Sequence, residues 1–334
     1  MNRSIKLFSS LFCLLGALPL AGKAQVDPHF SQYYSYPQAL NPALTGAMEG
    51  DYRVTAIWRS QYGNMLTTKG MAVDVATAKN VSIGFNLLNQ STADHVYSFT
   101  NGYISMSYTG VRFGPDGDQY LALALQGGFI GRRIDPAKLQ FGDQWLQGVG
   151  YSPSVSSADI LSSPSVSTFD AGAGLAYYDA RADNDVHLFG GFSAFHLTRP
   201  QDPFLSGGNK ERLPIRYSLH GGARIAASDG LVIVPNALYV SQGNATETVM
   251  GMYAQLYASE GVDFMLGSNW RIGDAVTPYA GFYYNGLTIG MSYDVNISPL
   301  AAAARGANSI EISLSYIGIS KKRGPRNYFK CPRF

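Results

Sequence analysis

The chain has 334 residues, 46% of them apolar but only 14% charged, with 37 Gly, 22 Tyr, 17 Phe and a formal net charge of +2. That is too little charge for an ordinary soluble surface, where about a quarter of residues are charged. The apolar and aromatic content excludes disorder, and the lack of a basic excess excludes nucleic acid as a partner.

Residues 1–24 read as a cleaved signal peptide. Arg3 and Lys6 supply the positive start, Leu7 to Leu20 the apolar stretch, and Gly22-Lys23-Ala24 the small-residue cleavage site before Gln25. Cys13 leaves with it, so Cys331 is the single remaining thiol. Neither an intrachain disulfide nor a cysteine-rich zinc site is then available. No later run approaches the roughly 20 apolar residues of a spanning helix. Residues 25–50 are expected as a periplasmic N-terminal segment, followed by a β domain over 51–320 and a basic periplasmic tail over 321–334.

Within 51–320 the dominant signal is a two-residue period. Met71, Val73 and Val75 alternate with Ala72, Asp74 and Ala76; Leu287, Ile289, Met291, Tyr293 and Val295 alternate with Thr288, Gly290, Ser292, Asp294 and Asn296. Successive strand side chains point to opposite faces, so each segment has one apolar and one polar side. Fourteen such segments start near residues 51, 69, 81, 98, 119, 168, 185, 214, 231, 247, 262, 276, 286 and 309. Each is about 10 residues long, enough to cross a bilayer when tilted. Every second connection is mostly turn-like, as in Ala227-Ser228-Asp229-Gly230 and Asn285-Gly286, whereas 131–167, 199–213 and 297–308 are long. Membrane barrels place short turns at the periplasmic side and long loops outside, with both termini periplasmic for an even strand count. A secreted sandwich also alternates, but its outer face would be rich in charge, and here the second face is mostly Gly, Ser, Thr, Asn and Ala, with scattered charge. The expected fold is therefore all-β: a closed antiparallel transmembrane β-barrel of about 14 strands, in the bacterial outer membrane, with tyrosines and Trp58 and Trp270 partly forming its interfacial girdles.

Few local features point to chemistry. Gly172-Ala173-Gly174 lies within a strand pattern and is no nucleotide loop. His29, His187, His196 and His220 show no spacing that marks a hydrolytic set or a metal site; the expectation is a non-enzyme with no cofactor. The long connection 131–167 carries Arg132, Arg133 and Trp145 and could plug the lumen, cap it, or touch an extracellular partner. The tail carries Lys321, Lys322, Arg323, Arg326, Lys330 and Arg333 without an acid, and Phe329 and Phe334 add apolar anchors. It suits an acidic periplasmic partner or anionic lipid headgroups.

The order of several short motifs resembles the PorP/SprF family of membrane proteins. They are Asp27-Pro28-His29-Phe30-Ser31-Gln32-Tyr33, Asn41-Pro42-Ala43-Leu44-Thr45-Gly46, Trp58-Arg59-Ser60-Gln61-Tyr62, Phe195-His196-Leu197-Thr198-Arg199-Pro200, Arg216-Tyr217-Ser218-Leu219-His220-Gly221-Gly222, Ser292-Tyr293-Asp294-Val295-Asn296, Glu311-Ile312-Ser313-Leu314 and Cys331-Pro332-Arg333-Phe334. The resemblance implies an outer-membrane component of the type IX secretion system, supporting export or surface anchoring of large cargo such as gliding adhesins. Partners would then be other secretion components in the periplasm and outer membrane, the cargo, and outer-membrane lipid. A passive porin or small-molecule transporter is the alternative. Among the motif residues, Asn41, Pro42, Ala43, Gly46, His196, Arg199, Pro200, Tyr293, Asp294 and Glu311 are the candidate positions.

Overall fold

The computed structural model describes residues 27–77, 80–157, 164–181, 184–201, 212–299 and 308–319. Its strands are β1 (Tyr52–Gln61), β2 (Leu66–Ala76), β3 (Val81–Thr92), β4 (Tyr97–Phe113), β5 (Gln119–Ile134), β6 (Trp145–Leu146), β7 (Gly150–Tyr151), β8 (Ser165–Asp179), β9 (Val186–Phe195), β10 (Arg216–Ser228), β11 (Leu231–Gln242), β12 (Ala245–Ser259), β13 (Val262–Arg271), β14 (Ala275–Tyr284), β15 (Leu287–Asn296) and β16 (Ser309–Gly318). All except β6 and β7 form one closed wall. Each pairs antiparallel with its neighbours, and β1 closes on β16 from Tyr52↔Gly318 to Gln61↔Ser309. Closure satisfies the backbone groups at what would otherwise be two lipid-exposed edges. The wall starts lie within three residues of those expected from the two-residue period. β6 and β7 form a small separate hairpin within the β5–β8 connection.

The apolar parity faces outward. Met71, Ile104, Leu125, Leu266 and Met291 are exposed on the wall, while their neighbours Ala72, Ser105, Gln126 and Ser292 are buried inside. Exposed Tyr52, Tyr108, Tyr257 and Tyr284 lie towards one end of the strands, and Tyr217, Tyr239, Trp270 and Tyr293 towards the other. These are the positions of two interfacial belts around an apolar band. The ends of the wall, Tyr52 and Gly318, share the short-turn rim, where Asn285 (φ 46°) and Gly286 (φ 92°) make a two-residue hairpin. Positive φ at both central residues matches the twist of the flanking strands.

The N-terminal segment departs from the expectation. Residues 25–50 were expected as a segment apart from the barrel; the described part, 27–50, runs through its interior and is buried almost throughout. It starts beside Arg216 and Gln242 at the long-loop rim and descends to Gly50, against Ile317 and Gly318 at the short-turn rim. Consequently Asp27 and Gly318 lie at opposite rims of the wall. The cause is composition. Phe30, Tyr33, Tyr34, Tyr36, Leu40, Ala43, Leu44, Ala47 and Met48 within 19 residues carry too much apolar surface to remain in water, and a fourteen-strand wall leaves room for them. The long connection between β5 and β8 does not supply the filling, since its described residues are exposed or half-buried at the rim.

Candidate functional site

The filled lumen is the most elaborately built part of the molecule. The segment advances through three short turns, Tyr33–Ser35, Pro37–Leu40 and Pro42–Leu44. Pro37 and Pro42 each stand at the first position of a turn, where a missing N–H costs nothing. Asn41 caps the third turn, its Oδ1 accepting from the Ala43 N–H at 2.9 Å. Gly46, at φ +76°, turns the chain against Ser82, where any Cβ would overlap the serine side chain.

Three polar knots hold the segment. At the long-loop rim, the His196 ring lies between two carboxylates. Its Nδ1 meets Asp170 Oδ2 at 2.7 Å, and its Nε2 makes a short contact with Asp27. Tyr103 and Thr198 donate to the two oxygens of Asp170 at 2.7 and 2.9 Å, and Gln242 donates to Asp27 at 2.9 Å. Burial pushes the Asp27 carboxyl up, but the charge and hydrogen bond of His196, with Arg216 beyond, outweigh it and hold it below the usual carboxylate range. Burial also pushes the His196 ring down, and the Asp27 charge with the bonds from Asp170 and Asp27 overcome this and raise it to about 9. The ring is thus a cation holding two anions together.

The second knot, at the same rim, centres on Asp294 and Glu311. Asp294 accepts from Arg59 at 2.8 Å, Arg271 at 2.9 Å, Ser31 at 2.8 Å and Thr277 at 2.8 Å. Glu311 accepts the backbone N–H groups of Ser31 and Gln32 at 2.8 and 2.7 Å, while Arg59 donates to the His29 carbonyl at 2.8 Å. Buried charges persist only when paired and hydrogen-bonded, and here the partners come from both wall and segment. The third knot, at the short-turn rim, is Arg53 paired doubly with Asp74 at 3.0 and 2.8 Å. Arg53 also donates to the Leu44 and Ala47 carbonyls, and Asp74 accepts from the Gly46 N–H at 2.6 Å. Beside the segment, a cavity of about 290 Å³ lined by residues including Leu44, Phe189, His220, Tyr283 and Tyr316 remains at this end.

The motif residues divide clearly. Asn41, Pro42, Ala43 and Gly46 belong to the segment, and His196, Asp294 and Glu311 are the wall groups that grip it. Tyr293 faces outward, and Arg199 (φ 45°) and Pro200 lie in the loop after β9. Arg132 sits over the Phe99 ring at 5.9 Å, Arg133 is exposed near the end of β5, and Trp145 stands exposed on the small hairpin. Lys321, Lys322, Arg323, Arg326, Phe329, Lys330, Arg333 and Phe334 lie outside the described residues. Sequence reasoning missed Asp27, Arg53, Arg59, Asp74, Asp170 and Arg271. A usable signal existed for all of these but Asp27, which lies on the segment: in a charge-poor chain Arg53, Arg59, Asp74, Asp170 and Arg271 share the inward parity of their strands, and inward charges in a membrane barrel require partners.

The sequence matches the family described as type IX secretion system membrane protein PorP/SprF over residues 22–316. No curated protein matches the chain. Among solved structures it is similar in fold to the Ralstonia pickettii toluene transporter TbuX, at 9% identity and TM-score 0.48, covering 84% of this chain and 92% of that one. It is similar to the Pseudomonas putida toluene transporter TodX at 10% identity and TM-score 0.45, covering 86% and 94%. For CdiB from Acinetobacter baumannii the figures are 9%, 0.42, 80% and 60%.

Proposed function

Because this chain belongs to the PorP/SprF family of type IX secretion system membrane proteins, we propose that it serves that system as a sealed outer-membrane scaffold, holding large cargo or machinery at its rims. The filling of the lumen by residues 27–50 supports this reading above all. Three charged knots and many buried rings fix that segment, so the barrel has the build of an anchor and not of a water-filled channel. The family and fold are those of a secretion membrane protein and not of an enzyme class. The same filling weighs against a passive porin.

In this reading residues 1–24 direct export and are removed, the short-turn rim faces the periplasm and the long-loop rim faces outward. Arg132, Arg133 and Trp145 lie on or near the long-loop rim, where exported cargo such as a gliding adhesin would be held. The basic tail 321–334 would meet periplasmic components from the opposite rim.

Two measurements test the proposal. In planar bilayers the full chain should show no steady conductance, whereas a variant lacking residues 27–46 should conduct; a steady native conductance would restore the porin reading. In cells, truncation after residue 320 should reduce cargo display several-fold while the barrel still assembles. Unchanged display would remove the tail from the mechanism.

A further inference from the structure

The fourteen seams of the wall are not equal. The β8–β9 ladder runs from Ala173–Tyr178 against Phe189–Ala194, six register pairs, whereas every other seam has at least eight among the described residues. Small residues dominate the paired stretch, with Ala173, Gly174, Ala176, Gly190, Gly191 and Ser193. Glycine inside a strand weakens it and permits close approach of another group. Above Ala173 the ladder gives way to a single backbone bond, from the Leu197 N–H to the Ala171 carbonyl at 3.0 Å.

The luminal segment compensates at this place. Asn41 lies over the seam: its Nδ2 donates to the Leu175 carbonyl at 2.9 Å and the Phe192 carbonyl at 3.3 Å. Those two residues are register partners on opposite strands. A Cβ on Gly174 would lie 2.0 Å from Asn41 Oδ1, and one on Gly191 2.6 Å from Asn41 Nδ2, so the wall is hollowed for this side chain. Ser193 Oγ donates to the Leu40 carbonyl at 2.8 Å. Where the ladder has stopped, Asp170 of β8 reaches across to His196, the residue after β9, and Asp27 holds the far side of that ring.

We infer that the β8–β9 seam is the line along which this barrel opens sideways, and that Asn41 and Asp27 are positioning residues that keep it shut. The segment also bridges β2 and β3, where the Tyr36 hydroxyl donates to the Met71 and Leu87 carbonyls, but eleven register pairs close that seam without it; at β8–β9, with six, the bonds through the segment carry a larger share of the closure. Loosening the segment therefore weakens this seam most, because its own ladder is the shortest. An opened seam presents the backbone edges of β8 and β9, which pair with an extended strand of another chain. This goes beyond the scaffold reading and does not depend on which cargo is held.

The test uses the full chain in lipid nanodiscs, in a Cys331→Ser background, with spin labels on the lipid-facing register pair Leu175→Cys and Phe192→Cys. The control pair is Met106→Cys and Leu125→Cys across β4–β5, also lipid-facing register partners. The native chain should show one short distance at each pair. Asn41→Ala and Asp27→Asn should each add a longer population at 175/192, at least threefold above native, with the control unchanged. Unchanged distances at both pairs, or equal broadening at both, would overturn the inference. Should Asn41→Ala fail to assemble, Ser193→Ala removes only the bond to Leu40 and should broaden 175/192 alone; an unchanged 175/192 distance there counts against the seam.

Discussion

Removing the Asp294 carboxylate tests whether the inner knots hold the segment and wall together. Asp294→Ala deletes four acceptor contacts at once and leaves Arg59 and Arg271 facing each other's charge in a place where both are almost fully buried. Breaking a buried pair by removing one partner costs about 3–5 kcal/mol, mostly the desolvation of the orphaned charge. Glu311 compensates only weakly, since its contact to Arg59 is 3.9 Å. A destabilisation of about 4 kcal/mol is therefore expected, measured by urea unfolding in detergent micelles. Adding Arg59→Met removes one orphaned cation, so the double variant should recover at least 1 kcal/mol, and the two effects should not add. An Asp294→Ala chain within 1 kcal/mol of native, or strictly additive substitutions, would refute the account of this knot as a buried charge network.

Three further outcomes follow from named contacts. His196, raised to about 9 from an ordinary 6.5, contributes stability that is fully present below about pH 6.5 and lost as pH rises through 9. Asp27, held below the usual range, contributes above about pH 4 and loses its part as pH falls. Intrinsic-rate-corrected hydrogen exchange of residues 29–32 should accordingly quicken above pH 9, and a His196→Gln chain should lack that step. Gly191→Val places carbon within 2.7 Å of Asn41 and His220 and should cost at least about 1–3 kcal/mol by overpacking, read as a lower Tm. Leu266→Arg puts a charge on the lipid face at mid-strand and should cost about 2–4 kcal/mol in unfolding from bilayers; a neutral result would argue that this face is not against lipid.

The wall was legible in the sequence because its physics is local. Alternation such as Leu287 to Asn296 needs only the pleat and an apolar solvent outside, and a turn such as Asn285-Gly286 needs only its own dihedral preferences. That also settled the face of each strand, the strand number and the family-level resemblance. The candidate site was legible in pieces: Asn41, His196, Asp294 and Glu311 stood out as motif positions, but nothing in their spacing said that they meet. Asp27 lies 169 residues from His196, and Ser31 lies 280 from Glu311. Contacts of that range exist only once fourteen strands close and define an interior. Tertiary structure alone decided that residues 27–50 belong inside, that Asp27 and Gly318 stand at opposite rims, and that the β8–β9 seam is bridged by Asn41. The sequence by itself determined a greasy outside and a polar inside; which chain fills that inside is a property of the closed cylinder, because only closure creates a volume to be filled.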